Sequence, residues 1–390
     1  MPRLAGSHAL KAPLTALVLQ GGGALGAYQG GAYEALALRA QALDWVAGIS
    51  IGAVNAALIA GNPPGRRVER LRAFWERVSL ALPLRPQAEW VAPVRGWWDN
   101  AMALWGAAVG VPGFFAPRPP LAWWPQPPAS WYDTAPLRDT LLELVDFELL
   151  NQGPMRFSVG AVDVQSGNFT YFDNRRERIG PEHVMASGAL PPGFGAVPIG
   201  EHFYWDGGLV SNTPLTYVMD QLPAGSRQPV TVFQIDLFRA RGRVPETLAD
   251  AAEREKDIRY SSRTRLVSDE VRARHQLHQR LRRLAALLPR AQRGSAEVQA
   301  LLAGTLDAPI TLVHVIHRRK DSETQTKDYE FSHLSMAEHW QAGGADMGAA
   351  LQLLGRQGAP GPGEFRVLDP HPDAPMPRRS PAVTSKDKPS

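Results

Sequence analysis

Apolar residues fall along this chain in two textures: short unbroken runs, and longer stretches spaced every three or four positions. The run at residues 15–20 (TALVLQ) is apolar on both faces, the pattern of a buried strand. Residues 27–40 then read as a helix, with Tyr28, Ala32, Leu36 and Leu38 roughly on one side. Residues 44–49 (DWVAGI) predict a second strand, and residues 51–60 an Ala-rich helix. Val68, Leu71, Phe74, Trp75 and Val78 form an apolar stripe over 66–80, which reads as core. Further on, 136–150 and 181–187 predict helices, with Pro181 suited to a first helical turn. Residues 156–164 and 168–173 predict strands joined across Gln165, Ser166 and Gly167, a hairpin signal. Residues 202–206 predict a short aromatic strand, 229–238 a buried strand, 249–288 a long helix, 310–317 a strand and 335–354 a last helix.

Three stretches break this rhythm. Residues 82–131 are rich in Pro and Trp (Trp90, Trp97, Trp98, Trp105, Trp123, Trp124, Trp131) and carry Phe114 and Phe115. Long loops are usually functional or disordered, and this much Trp argues against disorder. Trp also suits lipid interfaces, so the stretch reads either as an acyl-binding cap or as a packed subdomain without a ligand role. The helix at 249–288 is strongly basic (Arg254, Lys256, Arg259, Arg263, Arg265, Arg272, Arg274, Arg280, Arg282, Arg283). Its apolar positions Ile258, Val267, Val271, Leu281, Leu284 and Leu288 recur at helical spacing. Such a helix fits contact with an anionic membrane or an ordinary solvated face. No nucleic-acid motif accompanies the charge, so no nucleic-acid partner is expected. Beyond residue 355 the composition is that of a disordered tail, and residues 1–13 read as a loose arm.

The 390 residues suffice for one large or two medium domains. With 44% hydrophobic and 21% charged residues the composition is globular. There is no cysteine, which excludes disulfides, thiolate catalysis and Cys-based zinc sites. Residues 1–11 lack an apolar signal-peptide core, and no run reaches the ~18 apolar residues of a membrane span. A cytoplasmic location is therefore expected, with peripheral membrane contact as its extension.

Candidate chemistry sits at the strand ends. Gly48-Ile-Ser-Ile-Gly52 is a G-x-S-x-G sequence between a predicted strand and helix. A sharp strand-to-helix turn of this kind lifts the Ser50 hydroxyl clear of the backbone, and flanking glycines permit close approach. The sequence GGGALG at residues 21–26, containing Gly21, Gly22, Gly23 and Gly26, also follows a strand and opens a helix. Read as G-x-G-x-x-G it suggests a dinucleotide site, but the acidic residue expected ~20 positions on could only be Asp44, at the start of the next strand. The better reading uses the right-handed strand–helix–strand crossover, which brings both strand ends to one edge of the sheet. The glycine amides then lie near Ser50, as an oxyanion hole requires. Asp206, followed by Gly207 and Gly208 at the end of an aromatic strand, is the best candidate base. Asp236, near the end of a later strand, acquires no role.

These three motifs, together with ASGALPPG at residues 186–193, resemble the patatin-like phospholipase family over roughly residues 14–240. The resemblance implies a three-layer α/β/α sandwich with a central, mostly parallel sheet, hydrolysing acyl esters of lipids through a Ser–Asp dyad without catalytic His. It makes Ser50 the nucleophile, Asp206 the general base, and Gly21, Gly22 and Gly23 the oxyanion donors, with no metal and no cofactor. This chain has Leu25 where the family often has Arg or Lys, which removes an anion contact. The implied organisation is an arm (1–13), a catalytic domain (14–240) with its insertion (82–131), a basic helical extension (241–354) and a tail (355–390). Three alternatives stand beside it. A His-dependent hydrolase would use His314, His317 or His333, which follow Asp206 in the required order. A silent lipid-binding scaffold would keep the fold without the chemistry. An esterase would act on thioesters, neutral lipids or storage polyester. The oligomeric state is not legible.

Overall fold

A computed structural model describes residues 13–40, 42–80, 92–119, 130–240, 242, 244–318 and 327–370. In chain order the elements are β1 (Leu14–Leu19), α1 (Ala27–Leu38), β2 (Trp45–Gly48), α2 (Ile51–Ala60), α3 (Arg67–Arg77), α4 (Ala92–Val109), β3 (Ala116–Pro117), β4 (Tyr132–Asp133), α5 (Ala135–Leu144), α6 (Phe147–Gln152), β5 (Arg156–Asp163), β6 (Phe169–Asp173), α7 (Pro181–Ser187), β7 (Val197–Ile199), β8 (His202–Asp206), α8 (Leu215–Asp220), β9 (Val230–Asp236), α9 (Leu248–Leu287), α10 (Arg290–Arg293), α11 (Ala296–Ala303), β10 (Ile310–Ile316), α12 (His333–Gly355) and β11 (Phe365–Leu368).

One sheet runs in the order β11-β10-β9-β1-β2-β5-β8-β7, with β6 also paired to β5. The six strands from β11 to β5 in this order are parallel to one another; β6 and β8 pair antiparallel with β5, and β7 pairs antiparallel with β8. Alternation along β1 sorts the two faces: Leu17 and Leu19 enter one apolar cluster with α1, α2, α3 and α12, whereas Ala16 and Val18 enter a second with α8 and α9. The fold is thus a three-layer α/β/α sandwich with a mostly parallel central sheet.

The register around β5 positions the site. β2 pairs with β5 from Arg156 to Val159, and β8 pairs with it from Ala161 to Asp163. β6 covers Ser158 to Val162 and so occupies the opposite edge. β2 and β8 therefore share one edge of β5, β8 taking over where β2 ends. Val159 is partnered by Gly48 and Ala161 by Asp206, so the turn after β2 and the end of β8 meet. The connection after β8 is tight: a Cβ on Gly207 would stand 2.6 Å from the Gly160 carbonyl oxygen.

Several expectations are corrected here. The segment 241–354 is the largely helical C-terminal region expected, and it is also built into the sheet. β10 and β11 extend the catalytic sheet, and α12 lies against α1 with backbones in direct contact: a Cβ on Gly31 would stand 1.8 Å from the Trp340 carbonyl oxygen. The tail expected from residue 355 holds β11, paired in register with β10. The insertion contains α4 and β3, which pairs antiparallel with β4 just beyond it, rather than a loop without periodicity. Trp90, Trp123 and Trp124, like most of the arm at 1–13 and of the tail at 371–390, lie outside the described residues. Leu38 is 82% exposed, because the buried side of α1 is set by close contact with α12. Of the expected apolar stripe of α9, Val267 and Val271 pack on the sheet, but Ile258 and Leu284 are exposed and Glu253, Asp257, Ser261, Ser268 and His275 are buried instead. Polar partners explain this reversal: buried Lys327 pairs with Glu253 and Asp257.

A chain ending at residue 240 would leave one edge of β9 unpaired and the α12-facing side of α1 bare. It is expected to show no cooperative thermal transition by circular dichroism, whereas the full chain melts cooperatively; a cooperative transition in the shortened chain would contradict this integration.

Candidate active site

Ser50 sits at the turn between β2 and α2 with φ 55° and ψ −125°. An L-residue held in this region stores ~1–3 kcal/mol of strain and persists only where the surroundings enforce it. The enforcement is visible. A Cβ on Gly48 would stand 2.2 Å from the Gly52 carbonyl oxygen, and one on Gly52 would stand 2.4 Å from the Leu19 carbonyl oxygen. The Ser50 amide donates to the Ser187 hydroxyl oxygen at 3.0 Å, and that hydroxyl donates to the Gly160 carbonyl at 2.7 Å. Ser187 thus pins the elbow to β5. The 186–193 sequence flagged the region, but nothing in it gave Ser187 this contact.

Asp206 is buried at the end of β8, where its carboxylate accepts the Gly208 amide at 2.7 Å and lines the same cavity as Ser50, whose hydroxyl is close enough to pull its pKa down. Burial pushes its pKa up to about 6, against the downward pull of those two groups. Asp236 is also buried, and its pKa is pushed up to about 7. Both its oxygens accept from Gln234 Nε2, at 3.0 and 2.9 Å, and it does not line the cavity described below.

The glycine loop follows β1. Gly21 is tied both ways to Asn212: its amide donates to the Asn212 carbonyl at 3.3 Å, and Asn212 Nδ2 donates to the Gly21 carbonyl at 3.1 Å. The Gly21 amide is therefore committed to holding the loop, which corrects the expectation that all three glycines donate to an oxyanion. Among the described residues, no acceptor takes the amide hydrogens of Gly22 and Gly23. Gly26 serves packing, since a Cβ there would meet Ile51 at 2.6 Å and Trp75 at 2.8 Å. Leu25 is wholly buried in the core and does not line the cavity.

A buried polar chain fixes the glycine loop relative to α2. Gln29 Nε2 donates to the Gln20 carbonyl at 2.7 Å. Asn55 Nδ2 donates to the Gly26 carbonyl at 3.0 Å and to Gln29 Oε1 at 2.9 Å. Trp75 Nε1 donates to Asn55 Oδ1 at 3.0 Å. The Gln20 side-chain oxygen also takes the amides of Leu237 and Phe238, at 2.6 and 3.1 Å. Sequence reading missed Gln20, Gln29 and Asn55. Each lies at an otherwise apolar position, and only the three-dimensional pairing reveals its purpose.

These groups open on one cavity of about 320 Å³. Ser50, Asp206, Gly21, Gly22, Gly23, Gly208 and Asn212 line its polar part. Its apolar wall comes from Ile51 and Val54 of α2, Ala103 and Ala107 of α4, Phe114, Phe115, Trp131, Leu137, Phe194 and Phe331. Phe114, Phe115, Tyr132 and Phe194 form a continuous ring cluster, with centroids 4.7 to 6.1 Å apart for the Phe115 and Tyr132 pairs. Part of the Trp-rich insertion thus walls the cavity. So do Tyr260, Asp328, Tyr329 and Phe331 from the C-terminal part of the chain. His314, His317 and His333 do not line it. His314 is half-buried, and desolvation pushes its pKa down to about 4. The basic end of α9 lies away from the cavity: Gln279 and Arg282 bond the carbonyls of Leu306 and Thr305, just before β10, at the sheet edge opposite Ser50. Among the described residues no helix is long and apolar enough to cross a membrane.

Comparison with known proteins identifies a family. A family model described as Patatin-like phospholipase matches residues 17–219, and a second, described as Patatin phospholipase, matches residues 258–359. No curated protein sequence matches the chain. Among solved structures it is similar to VipD from Legionella pneumophila, at 14% identity over 87% of this chain and 67% of that one, with a TM-score of 0.39. It is also similar to the type III effector protein ExoU, at 12% identity over 88% of this chain and 54% of that one, with a TM-score of 0.35. A third similarity, at 18% identity and a TM-score of 0.28, is to the complex of full-length SpcU with full-length ExoU from Pseudomonas aeruginosa, over 66% of this chain and 52% of that one. The chain spans about half the length of these ExoU chains. With more than half of its residues inside the first family match, the chain belongs to the patatin-like phospholipase family of lipid ester hydrolases.

Proposed function

We propose that the protein is a serine acyl hydrolase that cleaves carboxylic-ester bonds of lipids, of phospholipase A or lysophospholipase type, through a Ser50–Asp206 dyad and an acyl-enzyme. The observation that carries this reading is the placement of the strained Ser50 and the buried Asp206 carboxylate on one cavity, beside two glycine amides that no described acceptor takes. Asp206 takes the proton as Ser50 Oγ attacks the ester carbonyl. The carbonyl electron pair moves onto oxygen, where the amides of Gly22 and Gly23 receive the charge. Collapse of the tetrahedral species expels the alcohol, which takes back the proton from Asp206. Water, deprotonated by the same carboxylate, then releases the fatty acid. Burial matters here because an ordinary carboxylate is too weak a base, and a pKa of about 6 brings it closer to the operating pH. The apolar cavity wall suits one acyl chain lying along α2 and under α4. A His-dependent mechanism is disfavoured by the position of His314, His317 and His333 outside the cavity. The absence of a described Lys or Arg from the cavity wall leaves thioesters, neutral lipids and storage polyester as alternative acyl donors, which a substrate panel separates.

A fluorophosphonate probe is expected to label the wild type at Ser50, and Ser50→Ala to abolish both labelling and turnover. Because Asp206 must be ionised to accept a proton, kcat/KM is expected to hold above pH 6 and to fall about tenfold per unit below it. A profile flat down to pH 4.5, or full activity in Asp206→Asn, would contradict the dyad.

Ala103 and Ala107 stand one turn apart on α4, and the Ala107 carbonyl is held by the Tyr132 hydroxyl at 2.9 Å. Ala103→Leu should fill the cavity rather than displace the helix. It is expected to lower kcat/KM on long-chain esters by on the order of tenfold while leaving acetyl and butyryl esters within about twofold. An equal loss on both would refute an acyl-binding role for this wall.

A further inference from the structure

The second half of the chain reaches the candidate oxyanion site through residues 327–331. The Asp328 carbonyl accepts the amide of Ala24 at 2.9 Å, directly after Gly22 and Gly23. Gly23 has φ 56°, and a Cβ there would stand 2.1 Å from that same carbonyl oxygen, so this segment is pressed against the loop. Its position is anchored at both ends. At one end Lys327, whose side chain is 5% exposed, places Nζ 2.8 Å from Asp257 and 3.4 Å from Glu253, one turn apart on α9. The neighbouring Lys256 binds the Asp328 carboxylate at 2.7 Å. At the other end the Leu80 amide donates to the Phe331 carbonyl at 2.6 Å, and the His333 amide to the Leu80 carbonyl at 3.2 Å.

We propose that residues 327–331 form a strap that sets the direction of the Gly22 and Gly23 amides, with Lys327 as its positioning residue. The inference rests on the reading of those two amides as oxyanion donors. Lys327 does not line the cavity and touches no reacting atom; its effect passes through the main chain of Asp328 to Ala24. The argument is geometric. A glycine loop has little intrinsic preference for one conformation, and an oxyanion donor works only when held where charge develops. A buried ion cluster is a weak source of stability but fixes register well. The strap therefore makes the C-terminal part of the chain a component of the catalytic centre.

The test uses the full chain and compares an ester with its thionoester, whose larger, weaker-accepting sulfur a well-formed oxyanion site rejects. The variant Lys327→Met, Glu253→Gln, Asp257→Asn removes the charges together, so that no carboxylate is left buried and unpaired. Counted per Ser50 titrated with fluorophosphonate, its kcat on the ester is expected to fall at least about tenfold, KM to change less than about threefold, and the ester-to-thionoester rate ratio to shrink in parallel. Unchanged kcat and ratio in the titrated sites would overturn the strap. Should this variant not fold, Lys327→Arg decides. It keeps the charge but alters the tether, and the ratio should still shrink by about threefold or more; a wild-type ratio would overturn the proposal. If the wild type itself is not labelled at Ser50, the dyad reading fails first, and the two failures are told apart.

Discussion

The structure turns on the meeting, at one edge of the sheet, of a strained serine turn and a carboxylate taken out of water. Neither half is favourable alone. The Ser50 backbone conformation costs ~1–3 kcal/mol, and a buried Asp is costly when ionised. What makes both affordable is their placement on one edge of β5, where β2 stops after Gly48 and β8 starts its own pairing with Ala161 at Asp206. A parallel strand ends, an antiparallel one takes its place, and the handover leaves a gap into which only a tight turn fits. Glycines at 48, 52 and 207 are then required because backbone occupies the space their side chains would need.

The surroundings of that meeting point are polar where the chain would otherwise be apolar. Gln20, Gln29, Asn55 and Trp75 pass hydrogen bonds from the glycine loop to the helix that begins at Ile51. Such a network is stabilising only when every member is satisfied, and these four residues interlock in that way. The consequence for chemistry is preorganisation: loop and elbow cannot shift independently. On the far side of the loop, Asn212 holds Gly21 and the Asp328 carbonyl holds Ala24. The site is thus assembled from segments more than 300 residues apart in sequence, which explains why a boundary at residue 240 does not separate the fold.

Much of this was legible beforehand, for a physical reason. Parallel strands buried on both faces are written as unbroken apolar runs, and β1, β2 and β9 appear in the sequence within a residue or two of their observed ends. The motifs around Ser50, the glycine loop and Asp206 were visible because tight turns need glycine at fixed offsets. What escaped reading was whatever depends on a distant partner. α9 buries Glu253, Asp257 and His275 rather than its leucines, which no periodicity argument anticipates because the compensating Lys327 lies outside the helix. The break between α5 and α6 went unseen, although Asp146 caps the second helix by accepting the amides of Glu148 and Leu149. Gly21 looked equivalent to Gly22 and Gly23 until Asn212 was seen to take its amide.

The convergence of Ser50, Asp206 and the two glycine amides is tested most directly by a crystal structure of the full chain after reaction with an alkyl fluorophosphonate. The account predicts phosphorus bonded to Ser50 Oγ, its alkyl chain along Ile51, Val54 and Ala103, and the phosphoryl oxygen about 2.7–3.1 Å from the amide nitrogens of both Gly22 and Gly23. A phosphoryl oxygen directed to solvent, or held by other donors while those amides stay empty, would contradict it.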